Sequence, residues 1–372
     1  MRRAAVPLAD ALGTVLVEDL RSLLDLPSFD TSAMDGWAVR GAGPWTVVGD
    51  ARAGQLAKTL TEGQCVRVST GAVAPPHSVV LRSELGTETE GLVTARSDRP
   101  AGGDDIRRRG EEVRTGELIL PSGQVLTPPA LGLAAAAGHD VVEIVPLPRL
   151  AVLVLGDELA QEGLPAEGRV RDALSPQLPG WLDAIGAELV SLGHVADSLA
   201  ATQRALDEVS ADVVITTGGT ARGPADHIRS ALEAMSGQWL VDGVAVRPGH
   251  PMKLAALPGG RALVALPGNP LAAVSGLVTL VWPLLDASAG RAVNAPVSRA
   301  IGAPVDASPT AHRLVPGQMV DGVVRLTTRR GPAMLSGMAT ADVVAIIAPG
   351  TRVQAGSMVE VLPLPWGSGL LV

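Results

Sequence analysis

Three turns in this chain combine glycine, proline and polar side chains in a way that suits a phosphate-bearing ligand. They are Gly156-Asp157-Glu158-Leu159, Thr217-Gly218-Gly219-Thr220-Ala221-Arg222-Gly223 and Leu266-Pro267-Gly268-Asn269-Pro270. Each follows a short, continuous apolar run: Arg149 to Leu155, Asp212 to Thr216, and Leu263 to Leu266. Gly218, Gly219 and Gly223 allow close backbone approach and leave N–H groups to face an anion near a helix N-terminus. Pro270 fits the first turn of a following helix, with Asn269 as its cap. The plain alternative is a set of ordinary strand-to-helix turns that hold no ligand.

Acidic residues at loop positions form a second group: Asp35, Glu84, Glu111, Glu112, Asp157, Glu158 and Asp226. A divalent cation needs such oxygens, although most Asp and Glu simply face water, and spacing alone does not select among them. A third group is cationic: Arg247 and His250 in Arg247-Pro248-Gly249-His250-Pro251, Arg313, and the run Arg107-Arg108-Arg109. Arginine forks suit oxyanions, but a basic run is usually a solvated patch. The histidines show no ligand-type spacing. No Gly-x-Ser-x-Gly, Walker A or Gly-x-Gly-x-x-Gly motif is present, so a serine nucleophile and Rossmann-type dinucleotide binding have no support.

The elements that must position these residues follow from periodicity. Residues 1 to 25 carry helical spacing (Leu8, Ala11, Leu12, Val15, Leu16, Leu20), ended by Pro27. From 28 to 127, short β-like runs punctuated by Gly and Pro predict a small β domain. Leu131 to Gly138 reads as a helix with Gly138 at its cap. From about 148 the pattern becomes strand, Gly-rich turn, helix, repeated, which is the signature of a parallel α/β sheet. Helices are expected over Pro179 to Ile185, Ala225 to Met235, and from Pro270 to about Leu285. Continuous apolar strands mean burial on both faces, and ligands of such sheets bind at the carboxyl edge, where all three turns should lie. After Gly290, β-like runs return around Val323 to Leu326, Val343 to Ile347 and Met358 to Leu362, predicting a C-terminal β domain.

Composition bounds the rest. A chain of 372 residues suggests two to three domains. Its 47% apolar content rules out disorder. Aromatics at 2% and a net charge of -8 argue against nucleic-acid binding. The single Cys65 builds neither an internal disulfide nor a thiolate zinc cage. No apolar run reaches the roughly 18 residues of a membrane span. The expectation is a cytoplasmic protein with neither nucleic acid nor membrane as partner.

With their surroundings, these residues resemble a known family: the molybdopterin molybdenumtransferases, the MoeA-like proteins related to the E domain of gephyrin. The stretch Pro27-Ser28-Phe29-Asp30-Thr31-Ser32-Ala33-Met34-Asp35-Gly36-Trp37-Ala38-Val39-Arg40 closely matches the family's N-terminal signature. Ser69-Thr70-Gly71-Ala72 through Glu84 is similar to its Thr-Gly-Ala segment. Asp105 to Gly116 is similar to its Arg…Gly-Glu-Asp element, with Glu112 in the Asp place. The three turns described above, the second ending at Asp226, complete the order.

The resemblance covers nearly the whole chain and implies an α/β plus β, elongated multidomain fold. Residues 1–27 and 128–148 would form a linker and dimerisation region, 28–127 an inserted β domain, 149–290 an α/β molybdopterin-binding-type domain, and 291–372 a C-terminal β-barrel. It implies a homodimer whose cleft lies between the α/β domain of one subunit and the β domain of the other. The implied reaction inserts molybdate into adenylated molybdopterin and releases AMP, assisted by Mg2+ or another divalent cation. Contact with other molybdenum cofactor biosynthesis proteins is also implied. By resemblance Asp35, Glu158 and Asp226 handle metal and nucleotide, and Thr70 and Glu112 contribute from the β domain. The turns supply Gly218, Gly219, Gly223, Pro267, Gly268 and Asn269 to the substrate, and Arg247, His250 and Arg313 form the oxyanion side.

This chain departs from the family pattern at Ala221 (usually Ser), at Arg247 and His250 (usually Lys), at Leu174 (an expected Asn) and at Pro332 (an expected Ser). The alternative is therefore a divergent, weakly active or inactive paralogue that binds pterin or a partner as a scaffold.

Overall fold

The structure, a computed structural model, describes residues 2–56, 58–96, 105–220, 227–350 and 352–367. The chain divides into two compact units: Arg3–Ile144, and the stretch from Val145 onward together with the first two residues.

In the N-terminal unit the expected helix over 1–25 is absent. The segment forms strand β1 (Ala4–Pro7), a 3-10 turn at Leu8–Asp10, and the two-residue strands Val15–Leu16 and Leu20–Arg21. Gly13 sits at φ +74°, which no helix interior admits. The strand partners lie far along the chain: Ala4–Pro7 pairs with residues 141–144, and Leu20–Arg21 with Leu118 and Leu120. Ala11, Val15 and Leu16 are buried, so the apolar spacing marks burial but not the period that achieves it.

Next comes a six-stranded sheet built from β2 (Gly36–Val39), β3 (Trp45–Ala51), β4 (Gln64–Val68), β5 (Val79–Arg82), β6 (Gly86–Thr89) and β7 (Leu92–Ala95), in the order β5-β2-β4-β3-β7-β6. Period-two alternation covers both faces. Ala38, Val66, Val68 and Val80 enter one core, while Val39, Cys65 and Leu81 enter another. Burial pushes the Cys65 thiol up to about 11, which leaves it protonated at neutral pH. Helix α1 (Pro128–Ala136) is capped by the Thr127 side chain and stops before Gly138 at φ +96°. Strand β8 (Val141–Val145) completes the small sheet with β1.

The C-terminal unit contains the expected parallel sheet. Strands β9 (Arg149–Leu155), β10 (Glu188–Val195), β11 (Val213–Thr217), β12 (Gln238–Asp242), β13 (Lys253–Ala256) and β14 (Ala262–Leu266) run in the order β10-β9-β11-β14-β13-β12. The first four are parallel, and β13 and β12 add an antiparallel edge. Helices α2 (Leu178–Ala184), α3 (Leu199–Glu208) and α4 (Ile228–Ala234) flank it. Both faces are covered: Val152, Val154 and Ile215 join one core, Leu153, Val214 and Leu263 the other.

One helix revises the reading of apolar runs. Helix α5 (Pro270–Gly276) continues through a π turn at Leu277–Val281 into α6 (Trp282–Ala289). Its 20 residues are long and apolar enough to cross a membrane by length and composition. Here they serve as a core helix, because Leu271, Val274, Leu277, Val281 and Leu285 pack beneath the sheet. Pro283 offers no N–H, and a π turn is one way a helix absorbs that gap.

The C-terminal β domain is a closed five-stranded barrel. Strands β15 (Val297–Ile301), β16 (His312–Val320), β17 (Val323–Leu326), β18 (Val343–Ile347) and β19 (Met358–Pro363) run in the order β16-β17-β15-β19-β18, and β18 returns to β16.

Between the helix and the barrel lies an ion pair, Arg291 Nε to Asp286 Oδ1 at 2.9 Å, with side chains only 11% and 5% exposed. Arg291 also donates to the Ile185 and Gly186 carbonyls. Asp286→Ala leaves that guanidinium buried without its anion and is expected to destabilise this unit by about 3 kcal/mol. A urea midpoint equal to wild type would contradict this.

Candidate functional site

The three turns are brought side by side by strand register. Val154 is opposite Thr217, and Thr217 is opposite Leu266, so β9, β11 and β14 end in one row. Gly218 (φ +89°) wedges between its neighbours, and a Cβ there would lie 3.0 Å from the Leu155 carbonyl oxygen. Its N–H is not available to a ligand, contrary to the sequence reading, because it donates to Leu266 O at 2.9 Å. Gly219 and Thr220 follow, and their N–H groups have no acceptor among the described residues. Gly268 approaches the Gly218 backbone directly, with an ideal Cβ 3.7 Å from Gly218 Cα. These loops frame a cavity of about 840 Å³ lined by Glu158, Asp172, Asp197, Gly219, Asn269 and neighbours.

Asn269 also differs from expectation. It occupies the cap position of α5, yet its side chain makes no capping hydrogen bond. The first N–H groups of the helix, from Leu271 and Ala272, donate instead to Pro332 O at 2.9 and 3.2 Å. The carboxamide therefore stays uncommitted at the cavity wall.

Glu158 folds its carboxylate against Gly156, where a Cβ would fall 2.9 Å from Oε2. No protein donor reaches that carboxylate among the described residues. Its turn is held through the backbone: the Arg169 guanidinium donates to Asp157 O at 3.2 Å and Leu159 O at 2.7 Å. Asp157 and Asp197 exchange backbone-to-carboxylate bonds at 3.1 and 3.3 Å, joining the turns after β9 and β10. Asp172 is buried and accepts from Leu174 N and Ser175 N at 2.9 and 3.1 Å, with His194 Nε2 at 3.2 Å. Burial alone would raise its carboxyl; the bonds from Ser175 and Leu174 and the neighbouring His194 outweigh it and hold the group below the usual carboxylate value.

A second cavity, about 630 Å³, shares Pro251, Pro267 and Asn269 with the first. It collects the three cationic candidates. Val246–Arg247 pairs in parallel with β16 so that Arg247 lies opposite Arg313. Like charges facing across strands oppose folding. Arg313 donates to Asp306 O at 2.6 Å. Burial first, and the charge of Arg330 second, pull its guanidinium below the usual arginine value. His250 Nδ1 lies 2.7 Å from Val244 O, so that nitrogen carries a proton and donates. Ser308 and Arg330 also line this cavity, and no carboxylate does among the described residues.

The N-terminal unit holds the remaining candidates. Asp35 Oδ1 accepts from Thr70 N at 2.7 Å and Thr70 Oγ1 at 3.1 Å. Gly36 fixes where Asp35 leaves the sheet, since a Cβ there would lie 2.1 Å from Leu81 O. Glu112 donates its N–H to Leu26 O at 2.9 Å. Two residues of the basic run are engaged in structure: Arg108 pairs with Asp30 and Arg109 with Asp25. Bonds from the Thr115 backbone and the Arg109 side chain hold the Asp25 carboxyl at about 2. Asp226, Gly223 and Ala221 lie outside the described residues. Among the described residues no group of three or more His, Cys, Asp or Glu is placed to hold a metal ion. Sequence reasoning did not select Asp172, Asp197, Ser308 or Arg330.

Comparison with known proteins covers most of the chain. A family model described as the MoeA N-terminal region (domain I and II) matches residues 1–138. One described as a probable molybdopterin binding domain matches 151–287, and one described as the MoeA C-terminal region (domain IV) matches 301–364. The molybdopterin molybdenumtransferase of Haemophilus influenzae is 33% identical over 289 residues, 75% of this chain and 71% of that protein. Molybdopterin molybdenumtransferase 2 of Mycobacterium tuberculosis is 33% identical over 308 residues, 78% of this chain and 76% of that one. The solved molybdopterin biosynthesis moea protein from Pyrococcus horikosii superposes with a TM-score of 0.76 at 25% identity, covering 98% of this chain and 94% of its own.

Proposed function

The chain belongs to the MoeA family of molybdopterin molybdenumtransferases, and from that membership we propose how its two connected cavities divide the work. It is a transferase of molybdenum cofactor biosynthesis. The larger cavity takes the phosphate-bearing end of adenylated molybdopterin, and the smaller takes molybdate. The observation that carries this reading is that Asn269 and Pro267 line both cavities, so both substrates meet at one wall. Gly219 and Thr220 receive phosphate oxygens, and Arg247 and Arg313 receive the tetrahedral dianion.

A divalent cation fits the first cavity. Magnesium is usually bound by one or two carboxylates plus substrate phosphates, and the uncommitted Glu158 carboxylate is such a hard oxygen donor. Glu158 would hold the ion, with Asp226 as a further candidate, and the ion would supply charge neutralisation on the phosphoanhydride. Arg169 keeps the Glu158 turn in place. Within the N-terminal unit, Asp35 and Thr70 form a hydrogen-bonded polar pair. The chain acts as a homodimer in the cytoplasm, a reading supported by the family resemblance and by exposed apolar Leu12, Leu23, Leu118 and Val141 on that unit.

The test is AMP release from adenylated molybdopterin with and without molybdate. Release that depends on molybdate supports the reading; release of none, from folded protein, contradicts it.

His250 lines the same cavity as Arg247, Arg313 and Arg330, and its Nδ1–H is given to Val244 O. His250→Ala is expected to weaken molybdate binding about 2- to 10-fold, in line with loss of one hydrogen bond. Wild-type binding by that variant would exclude His250 from the site.

A further inference from the structure

We propose that Arg330 is a further anion-binding residue of the smaller cavity, acting there together with Arg247 and Arg313. This rests on the reading of that cavity as the molybdate site. Arg330 lines the cavity and is half-buried, whereas the adjacent Arg329 is exposed and does not line it. Its backbone is fixed from both sides. Thr327 N donates to Pro316 O at 2.9 Å and Arg329 N to Thr327 Oγ1 at 3.2 Å. Two residues after Arg330, Pro332 O receives the first N–H groups of α5. The loop is thus tied to helix α5, whose cap residue Asn269 lines both cavities.

The charge arrangement has no structural purpose of its own. Arg247 faces Arg313 across the strand pair, and the charge of Arg330 is felt at Arg313. Among the described residues no carboxylate lines the cavity. Asp306, which does not line the cavity, offers Arg313 its backbone carbonyl and partly offsets its charge, while its carboxylate also faces Arg352 at 3.7 Å. Three guanidinium groups around one cavity, with no carboxylate among its described lining residues, call for an oxyanion of more than one charge. Planar guanidinium forks match the edges of a tetrahedral dianion.

The test is calorimetric titration of the full chain with molybdate at pH 7.5 and constant ionic strength. Arg330→Ala is expected to weaken binding about 10- to 100-fold, in line with loss of a charge-assisted hydrogen bond. Arg330→Lys should fall between that variant and wild type, and Arg329→Ala should stay within about twofold. Arg330→Gln, closer in size, serves if the alanine variant fails to fold. Wild-type-like binding by the Arg330 variants overturns this inference alone. Equal losses in the Arg329 and Arg330 variants overturn it as a general charge effect. If the wild type binds no molybdate, the reading of the cavity itself fails and takes this inference with it.

Discussion

Replacing Glu158 with Gln is expected to lower AMP release about 100- to 1,000-fold, the range seen when one preorganised electrostatic contact to a reacting group is removed. The substitution keeps the shape and removes the charge. Its effect should fall on the reaction rather than on folding, because the turn is held through the backbone by Arg169 and by the Asp157–Asp197 exchange. The carboxylate itself stabilises no protein donor among the described residues, so folding loses little with it. The variant should melt at the wild-type temperature and retain most of its affinity for the pterin. Turnover within twofold of wild type, at saturating molybdate and magnesium, would remove Glu158 from the mechanism.

The second large effect is expected from Arg313→Ala. Arg313 sits inside the long barrel strand β16, opposite Arg247 and under the influence of Arg330. Removing it relieves like-charge repulsion and forfeits one bond to Asp306 O. Stability should be unchanged or slightly higher, while the molybdate concentration for half-maximal AMP release rises about 100-fold. Such opposition between stability and function is common where a site is held in an unfavourable charge state. A variant with unaltered molybdate dependence would place the anion elsewhere.

Much of the fold was legible because the parallel strands are buried on both faces. Runs such as Arg149–Leu155 and Leu263–Leu266 are continuous and apolar, and the structure has strands over those residues. Strands at the sheet edge were not legible. Glu188–Val195 contains Ser191, Gly193 and His194 and alternates only loosely. Strand β16 carries Pro316 and Gly317 in its interior. Gly317 is required there because a Cβ would meet Val324 Cγ1 at 2.6 Å, a constraint that no local pattern expresses. The first 25 residues misled for the opposite reason: their apolar spacing fitted a helix, but their strand partners lie about 100 to 140 residues away.

The candidate site shows the same division. The three turns could be read from glycine and proline following apolar runs. Asp172, Asp197 and Arg330 could not, since each comes from a different loop and reaches its own cavity only through sheet order and barrel closure. Two departures from the family pattern gain a physical account. Leu174 belongs to the core cluster beneath the sheet while also edging the larger cavity. Pro332 serves through its carbonyl, which caps α5 and leaves Asn269 uncommitted.

The most direct measurement is a crystal of the full chain soaked with molybdate and AMP, with data collected to locate molybdenum by its anomalous signal. Molybdenum is expected in the smaller cavity, within hydrogen-bonding reach of the Arg247 and Arg313 guanidinium groups, with AMP phosphate beside Gly219 and Thr220. Molybdenum bound elsewhere, with those arginines facing only water, would contradict the account.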